Sequence, residues 1–218
     1  MTSLLWYYTP LHLLQPTLAI DIDECLAYFI PNVADYYNEV VLNSSQGKKY
    51  SSASFYTMDF DKVFGITYEE CNKMMFEFVD TDYFRVNVKP VDGAVEAMNE
   101  LKKSYDLQIV TARQNRVEKL TREWISKYFP DTFTDIHFAN HYSETHRAIP
   151  KSELCKKINA VCLVDDSLRY AKDCSANNVP CIVFGDYPWN RGEVCTSTSL
   201  FVLFLSLLFS LLSLKNNK

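Results

Sequence analysis

Five short apolar runs limit what this chain can fold into. They are residues 17–20 (TLAI), 107–110 (LQIV), 136–139 (IHFA), 161–164 (VCLV) and 181–184 (CIVF). Each is too short for a helix and rich in β-branched or aromatic side chains, so each predicts a strand buried on both faces. Between them, Ala94, Val95, Met98, Leu101 and Tyr105 recur at helical spacing, as do Val117, Leu120, Trp124, Ile125 and Tyr128 ahead of Pro130. Further helices are predicted to start at Pro150 and to follow Ser167, a good N-cap residue. Strand alternating with helix predicts an α/β fold, a five-stranded parallel sheet flanked by helices.

The 86 residues from 21 to 106, between the first and second runs, exceed what one crossover helix needs. Helical patterns over 31–41 and 68–79 lie there, separated by the polar stretch NSSQGKKYSSAS (43–54) and accompanied by dense aromatics such as Phe55, Phe60, Phe64, Phe78 and Phe84. A small, mainly helical lid over the mouth of the sheet accounts for both the length and the aromatics. Most of these rings are expected to form the lid's own core.

The 218 residues carry 22 basic and 27 acidic side chains, a net charge of −5, which argues against nucleic-acid binding through phosphate contacts. An apolar fraction of 48% excludes disorder, and five glycines with eight prolines exclude collagenous or low-complexity architectures. The seven cysteines (25, 71, 155, 162, 174, 181, 195) never form C-x-x-C, so they predict reduced core thiols and a cytoplasmic protein. The first 16 residues lack Lys and Arg, which is not the pattern of a secretory signal. Residues 200–214 (LFVLFLSLLFSLLSL) are apolar at twelve of fifteen positions. As a helix they would span roughly 22 Å against about 30 Å of bilayer core. Three readings stay open for this stretch: a C-terminal membrane anchor, a segment docked on the domain, or an end foreign to the fold.

In open parallel sheets ligands bind beyond the carboxyl ends of the strands. Asp21, Asp23 and Glu24 follow the first run, Thr111, Ala112 and Arg113 the second, and Asp165 and Asp166 the fourth. Two acidic pairs on one sheet edge repel unless a cation neutralises them, and hard oxygen ligands suit Mg²⁺. His137, His141 and His146 are spaced H-x₃-H-x₄-H, but one lies in a strand and two in its trailing loop, so structural or phosphate-proximal roles outweigh a zinc site. D-x-D alone is a weak signal that metal-binding glycosyltransferases also carry. Its place at a strand end, followed by a strand-end Thr, by Lys151 at a helix start and by the second acidic pair, is more specific.

That order resembles the four motifs of the haloacid dehalogenase-like superfamily, and AIDIDECLAYF (19–29) is similar to the first motif of the 5′(3′)-deoxyribonucleotidases of cytosolic type C. IVTARQ, REWISKYFP, LVDDSLRYAKDC and IVFGDYPWNR extend the resemblance to Arg191. It implies a Rossmann-like core from residues 1–30 and 89–191 and a cap from 31–88, whereas the hydrophobic tail from 192–218 departs from the family pattern. It also implies a Mg²⁺-dependent phosphomonoesterase acting on nucleoside or deoxynucleoside monophosphates. Asp21 would be the nucleophile and Asp23 the general acid and base. Asp21, Asp23 through its main-chain carbonyl, Asp165 and Asp166 would hold the metal. Thr111, Ala112 and Lys151 would bind the phosphoryl oxygens. Phe29 would stack on the base, while Arg113 would reach a phosphate or stay solvated. A sugar phosphate or other small phosphoester as substrate, and a catalytically silent, tail-anchored binding protein, remain the alternatives.

Overall fold

The computed structural model describes residues 15–43, 49–141, 148–191 and 200–201. Five strands fall where the apolar runs place them: β1 Thr17–Ile20, β2 Asp106–Thr111, β3 Asp135–Phe138, β4 Cys162–Asp165 and β5 Cys181–Val183. A two-residue β6, Leu200–Phe201, pairs parallel with Cys181 and Ile182. The sheet is parallel throughout, in the order β3-β2-β1-β4-β5-β6. Leu200 and Phe201 of the apolar stretch thus extend the sheet, because the open edge of β5 presents unpaired backbone groups to whatever chain passes it. The remainder of 200–214, like His146 and Cys195, lies outside the described residues. No helix among the described residues is long and apolar enough to cross a membrane.

Period-2 alternation makes the sheet apolar on both faces. Leu18, Ile20, Leu107, Ile109, Ile136 and Val164 point into one core layer, and Ala19, Val110, Leu163, Cys181 and Val183 into the other. The first layer is closed by α5 (Ala94–Leu101) and α6 (Glu118–Tyr128) through Ala94, Ala97, Met98, Trp124 and Ile125. The second is closed by α7 (Lys151–Lys157) and α8 (Leu168–Ala176) through Leu154, Cys155, Ala171 and Cys174. Full burial of each large aliphatic side chain contributes about 1.5–3 kcal/mol, so the two layers fix the strand register.

Among the described residues, the excursion between β1 and α5 holds four α-helices: α1 (Ile30–Tyr36), α2 (Phe60–Phe64), α3 (Tyr68–Phe78) and α4 (Asp82–Arg85). Where the periodicity predicts helix through residue 41, α1 widens after Tyr36 into a π turn, Tyr37–Val41, with Leu42 N–H donating to the Tyr37 carbonyl at 2.9 Å. Gly65 ends α2 at φ 68°, and Thr67 and Glu70 cap α3 reciprocally. An apolar cluster including Ile30, Val33, Tyr37, Phe55, Phe64 and Phe78 holds this cap segment together, and Val117 and Trp189 from outside it join the cluster. Tyr37 and Phe64 stack at 3.8 Å with an interplanar angle of 7°. Two ion pairs tie cap to core, Asp80 with Arg116 at 3.0 Å and Asp59 with Arg169 at 2.9 Å.

Candidate active site

The strand order reverses between β1 and β4, and the carboxyl ends of those strands frame the crevice where such sheets bind ligands. Asp21 N–H continues the ladder to the Val164 carbonyl at 2.9 Å, which fixes the loop leaving β1. The next residues wind tightly: the Ile22 carbonyl accepts from the N–H groups of Cys25, Leu26 and Ala27 at 2.7–3.3 Å. Glu24 takes φ 60°, which aims its buried side chain back under the loop, where Oε1 accepts from the N–H groups of Phe29 and Ile30 at 2.8 and 2.6 Å. Burial pushes the Glu24 carboxyl up to about 7 against the pull of those two donors.

Asp21, Asp165 and Asp166 converge here, each offering an oxygen within 4.8 Å of the other two. Lys151, fully buried at the start of α7, donates to Asp165 Oδ2 at 2.7 Å and lies 2.9 Å from Asp21 Oδ2. Burial disfavours the Lys151 ammonium, but Asp165 and Asp21 outweigh it and hold its pKa well above the usual lysine value. Burial raises all three carboxyls; Asp21 reaches about 7, lowered by Lys151 and raised by Asp165 and Asp23. Three carboxylates against one ammonium leave two negative charges in the ionised cluster. Asp21 Oδ1 is buried with no hydrogen-bond partner among the described residues. An orphaned hard oxygen in a doubly anionic cluster fits a divalent cation such as Mg²⁺.

The two adjacent aspartates are held differently. Asp165 has both oxygens engaged, Oδ2 by Lys151 and Oδ1 by the Ser167 N–H at 2.9 Å. Ser167 occupies the N-cap position of α8 as predicted, but its side chain makes no capping bond. Asp166 Oδ2 accepts from the Trp189 indole N–H at 2.6 Å. Thr111, fully buried at the end of β2, accepts the Arg113 N–H on its hydroxyl oxygen at 3.2 Å, which leaves the hydroxyl proton for another acceptor. Ala112 follows with its carbonyl bound by His141 N–H at 3.1 Å.

Asp23 stands apart from the acidic cluster and nearer the surface. Arg113 grips it from two nitrogens, Nε at 3.1–3.2 Å and Nη2 at 2.6 Å. The Arg113 guanidinium is buried, bonds Thr121 through Nη1 at 3.2 Å and sits 5.1 Å from the Phe84 ring of the cap. A solvated Arg113 is therefore ruled out; its charge is spent on Asp23, a pairing 90 residues apart that sequence pattern does not signal. Phe29 lies partly exposed among cap rings, stacked on Phe60 at 6.5 Å and edge-on to Phe78 and Phe84 at 5.5 and 6.3 Å.

The two histidines inside the described residues are both hydrogen-bonded. His137 Nε2 pairs with Gln108 Oε1 at 2.8 Å. His141 Nε2 faces the Ile149 carbonyl at 2.9 Å, so that nitrogen carries the proton and Nδ1 accepts from the Tyr170 hydroxyl at 2.8 Å. The Tyr170 ring in turn lies 4.3 Å from Lys151 Nζ and backs the ammonium. Sequence reasoning placed Glu24 at the strand end without giving it a role, and missed Tyr170, Trp189 and Asn190. Asn190 fastens the loop after β5 by donating from Nδ2 to the carbonyls of Phe184 and Asp166 at 2.9 and 3.1 Å. The available signal was the polar-aromatic run DYPWN directly beyond a strand end.

The model of the family described as 5′ nucleotidase, deoxy (Pyrimidine), cytosolic type C protein matches residues 15–191. An uncharacterised 32.4 kDa protein of Enterobacteria phage T4, from the Gp30-rIII intergenic region, is 25% identical over 202 residues, 83% of this chain and 69% of that one. The 5′(3′)-deoxyribonucleotidase of Bacillus subtilis (strain 168) is 26% identical over 119 residues, 54% of this chain and 63% of that enzyme. The chain thus spans less than two thirds of that enzyme's length. Among solved structures, a predicted phosphatase from Clostridium acetobutylicum shares the fold with a TM-score of 0.64 at 13% identity, covering 92% of this chain and 99% of that one. CbbY from Rhodobacter sphaeroides, solved in complex with phosphate, does so with a TM-score of 0.57 at 13% identity, covering 86% and 94%. With one family model running from before β1 to Arg191 and the fold of haloacid dehalogenase-like hydrolases beneath it, the chain belongs to the cytosolic type C 5′ nucleotidase family of phosphoric monoester hydrolases.

Proposed function

We propose that the chain hydrolyses nucleoside monophosphates, deoxynucleotides among them, through a phosphoryl group carried transiently on Asp21, with Mg²⁺ as its metal. The observation that carries this reading is the buried cluster of Asp21, Asp165 and Asp166 around Lys151 at the point where strand order reverses, with one oxygen of Asp21 unpaired. Asp21, the Asp23 main-chain carbonyl and Asp166 would hold the metal, while Asp165, its oxygens already engaged, anchors Lys151. When bound, Mg²⁺ supplies the positive charge that lets an anionic carboxylate approach an anionic phosphate.

Asp21 attacks phosphorus in line, forming an O–P bond as the ester bond breaks. Asp23 delivers a proton to the leaving oxygen and later takes one from the water that cleaves the aspartyl-phosphate. The Thr111 hydroxyl, the Ala112 loop and Lys151 bind the phosphoryl oxygens, where charge gathers in a loose transition state. Arg113 orients Asp23 from the side. The cap (31–88) closes over the core (1–30 and 89–191), and Phe29 with its neighbouring rings offers a stacking face to a nucleobase, worth about 1–3 kcal/mol per base.

The nucleotide substrate is supported by the family description and by the name of the Bacillus subtilis relative. Phosphate release from a panel of nucleoside monophosphates and sugar phosphates, with Mg²⁺ and with EDTA, tests the reading. Turnover should require the metal, favour nucleotides and vanish in Asp21→Asn. Equal turnover of sugar phosphates, or full activity in EDTA, would refute it.

A further inference from the structure

Asp166 owes its orientation to a residue that belongs to no strand-end motif. Among the described residues, the indole N–H of Trp189 is the only hydrogen-bond donor to the Asp166 carboxylate, at 2.6 Å on Oδ2. The indole is itself held from two sides. Its ring stacks on Tyr187 at 4.5 Å and 9°, and the Tyr187 hydroxyl donates to the Glu24 carbonyl at 2.9 Å, in the loop that leaves β1. Asn190 donates to the Asp166 main-chain carbonyl at 3.1 Å. Trp189 also belongs to the apolar cluster of the cap, with Ile30, Val33 and Phe55.

From this arrangement we infer that Trp189 is a positioning residue for the metal: it immobilises the Asp166 carboxylate through Oδ2, and it links that ligand to the cap. The inference rests on the metal reading proposed above. The physical basis is general. An outer partner that donates to a ligating carboxylate fixes its rotamer before the cation arrives, and losing such a partner typically costs about 10–100-fold in metal affinity. A tryptophan serves well, because its N–H is a donor only and its ring has just two side-chain torsions to immobilise. Indole emission responds to the charge beside it, so Trp189 also reports on occupancy of the site.

The test is Mg²⁺ titration of the full chain, stripped with EDTA and dialysed, read by calorimetry and by tryptophan fluorescence. Trp189→Phe keeps the ring but removes the N–H. Trp124→Phe is the matched control, since Trp124 also spends a buried indole N–H, on the Val88 carbonyl at 3.0 Å, away from the acidic cluster. Trp189→Phe should raise the Mg²⁺ dissociation constant about 10–100-fold and abolish the fluorescence response. Trp124→Phe should retain both the affinity and the response. At saturating Mg²⁺, Trp189→Phe should recover most of its kcat, so the defect is one of occupancy. Wild-type affinity in a folded Trp189→Phe overturns the positioning role and leaves the metal site standing. If that variant does not fold, a wild-type fluorescence unchanged by Mg²⁺ that calorimetry shows to be bound overturns it equally. Absence of Mg²⁺ binding by the wild type would overturn both this inference and the metal reading.

Discussion

Asp21→Asn should make the metal-free protein more stable while abolishing its activity. Burial, reinforced by Asp165 and Asp23 and opposed by Lys151, moves the Asp21 carboxyl from 3.8 to about 7. At about 1.4 kcal/mol per pH unit, ionising Asp21 costs about 4 kcal/mol more in the folded chain than in the unfolded one. Because the folded value lies above the unfolded one, the associated stability is complete below about pH 4 and is lost as pH rises to about 7. Asparagine keeps the shape and cannot ionise, so it behaves like the protonated acid at every pH. In EDTA at pH 8 the variant should therefore gain up to about 4 kcal/mol, or roughly 8–16 °C in Tm for a chain of this size. At pH 5 wild-type Asp21 is protonated when folded, and the advantage should shrink to under about 2 kcal/mol. Saturating Mg²⁺ at pH 8 should narrow the gap, since a cation that binds the ionised cluster stabilises only the wild type fully. Circular dichroism melts at the two pH values, with EDTA and with Mg²⁺, give the four comparisons. An Asp21→Asn protein that melts at or below the wild type in EDTA at pH 8 would refute the idea that the cluster stores electrostatic strain.

Three further outcomes follow from the same geometry. Asp23→Asn should lower kcat by about 10²–10⁴ with Mg²⁺ affinity unchanged in calorimetry, because the carboxyl proposed as acid and base lies outside the acidic cluster. Arg113→Lys keeps a cation beside Asp23 but loses the two-nitrogen grip, so steady-state kinetics should show a fall of about 10² in kcat with little change in KM. Lys151→Met leaves Asp21 and Asp165 without their shared ammonium, and urea unfolding at pH 8 should show a loss of about 3–5 kcal/mol. Part of that loss should return at pH 5, where the raised carboxyls accept protons, and a loss independent of pH would count against the pairing.

The residues legible in the sequence were those whose position depends on one strand and its end. Asp21, Thr111 and Asp165 are readable because an apolar run must stop where the chain leaves the sheet, and Lys151 because it opens a helix. Cap and sheet were legible for a related reason, since an interval of 86 residues cannot be one crossover. What stayed hidden depends on two distant segments meeting. Arg113 with Asp23 and Trp189 with Asp166 are separated by 90 and 23 residues, and no periodicity encodes either pair. The widened turn after Tyr36 was hidden because it answers to tertiary packing: the buried Asn38 side chain must bind the main chain of Lys49 and Tyr50 across the cap. The edge strand β6 was hidden because a run made of Leu, Phe and Ser carries no signal of where sheet pairing begins.

The hidden pairs and the legible ones share a cause. A sheet of this kind satisfies its own backbone and buries apolar side chains on both faces, so nothing in the fold requires a charged group at the strand ends. Yet Asp21, Asp165 and Asp166 are all buried there within mutual reach, and among the described residues one ammonium, that of Lys151, pairs with Asp21 and Asp165. Replacing such a cluster by apolar residues is generally neutral or stabilising, so the fold would persist without it. The supporting groups show the same bias. Trp189, Tyr187 and Asn190 spend their polar atoms on the cluster's loops, and Glu24 is buried beneath the first of them. Side chains that could have completed an ordinary core are instead committed to keeping like charges together, which fits a site whose remaining negative charge is answered from outside the chain.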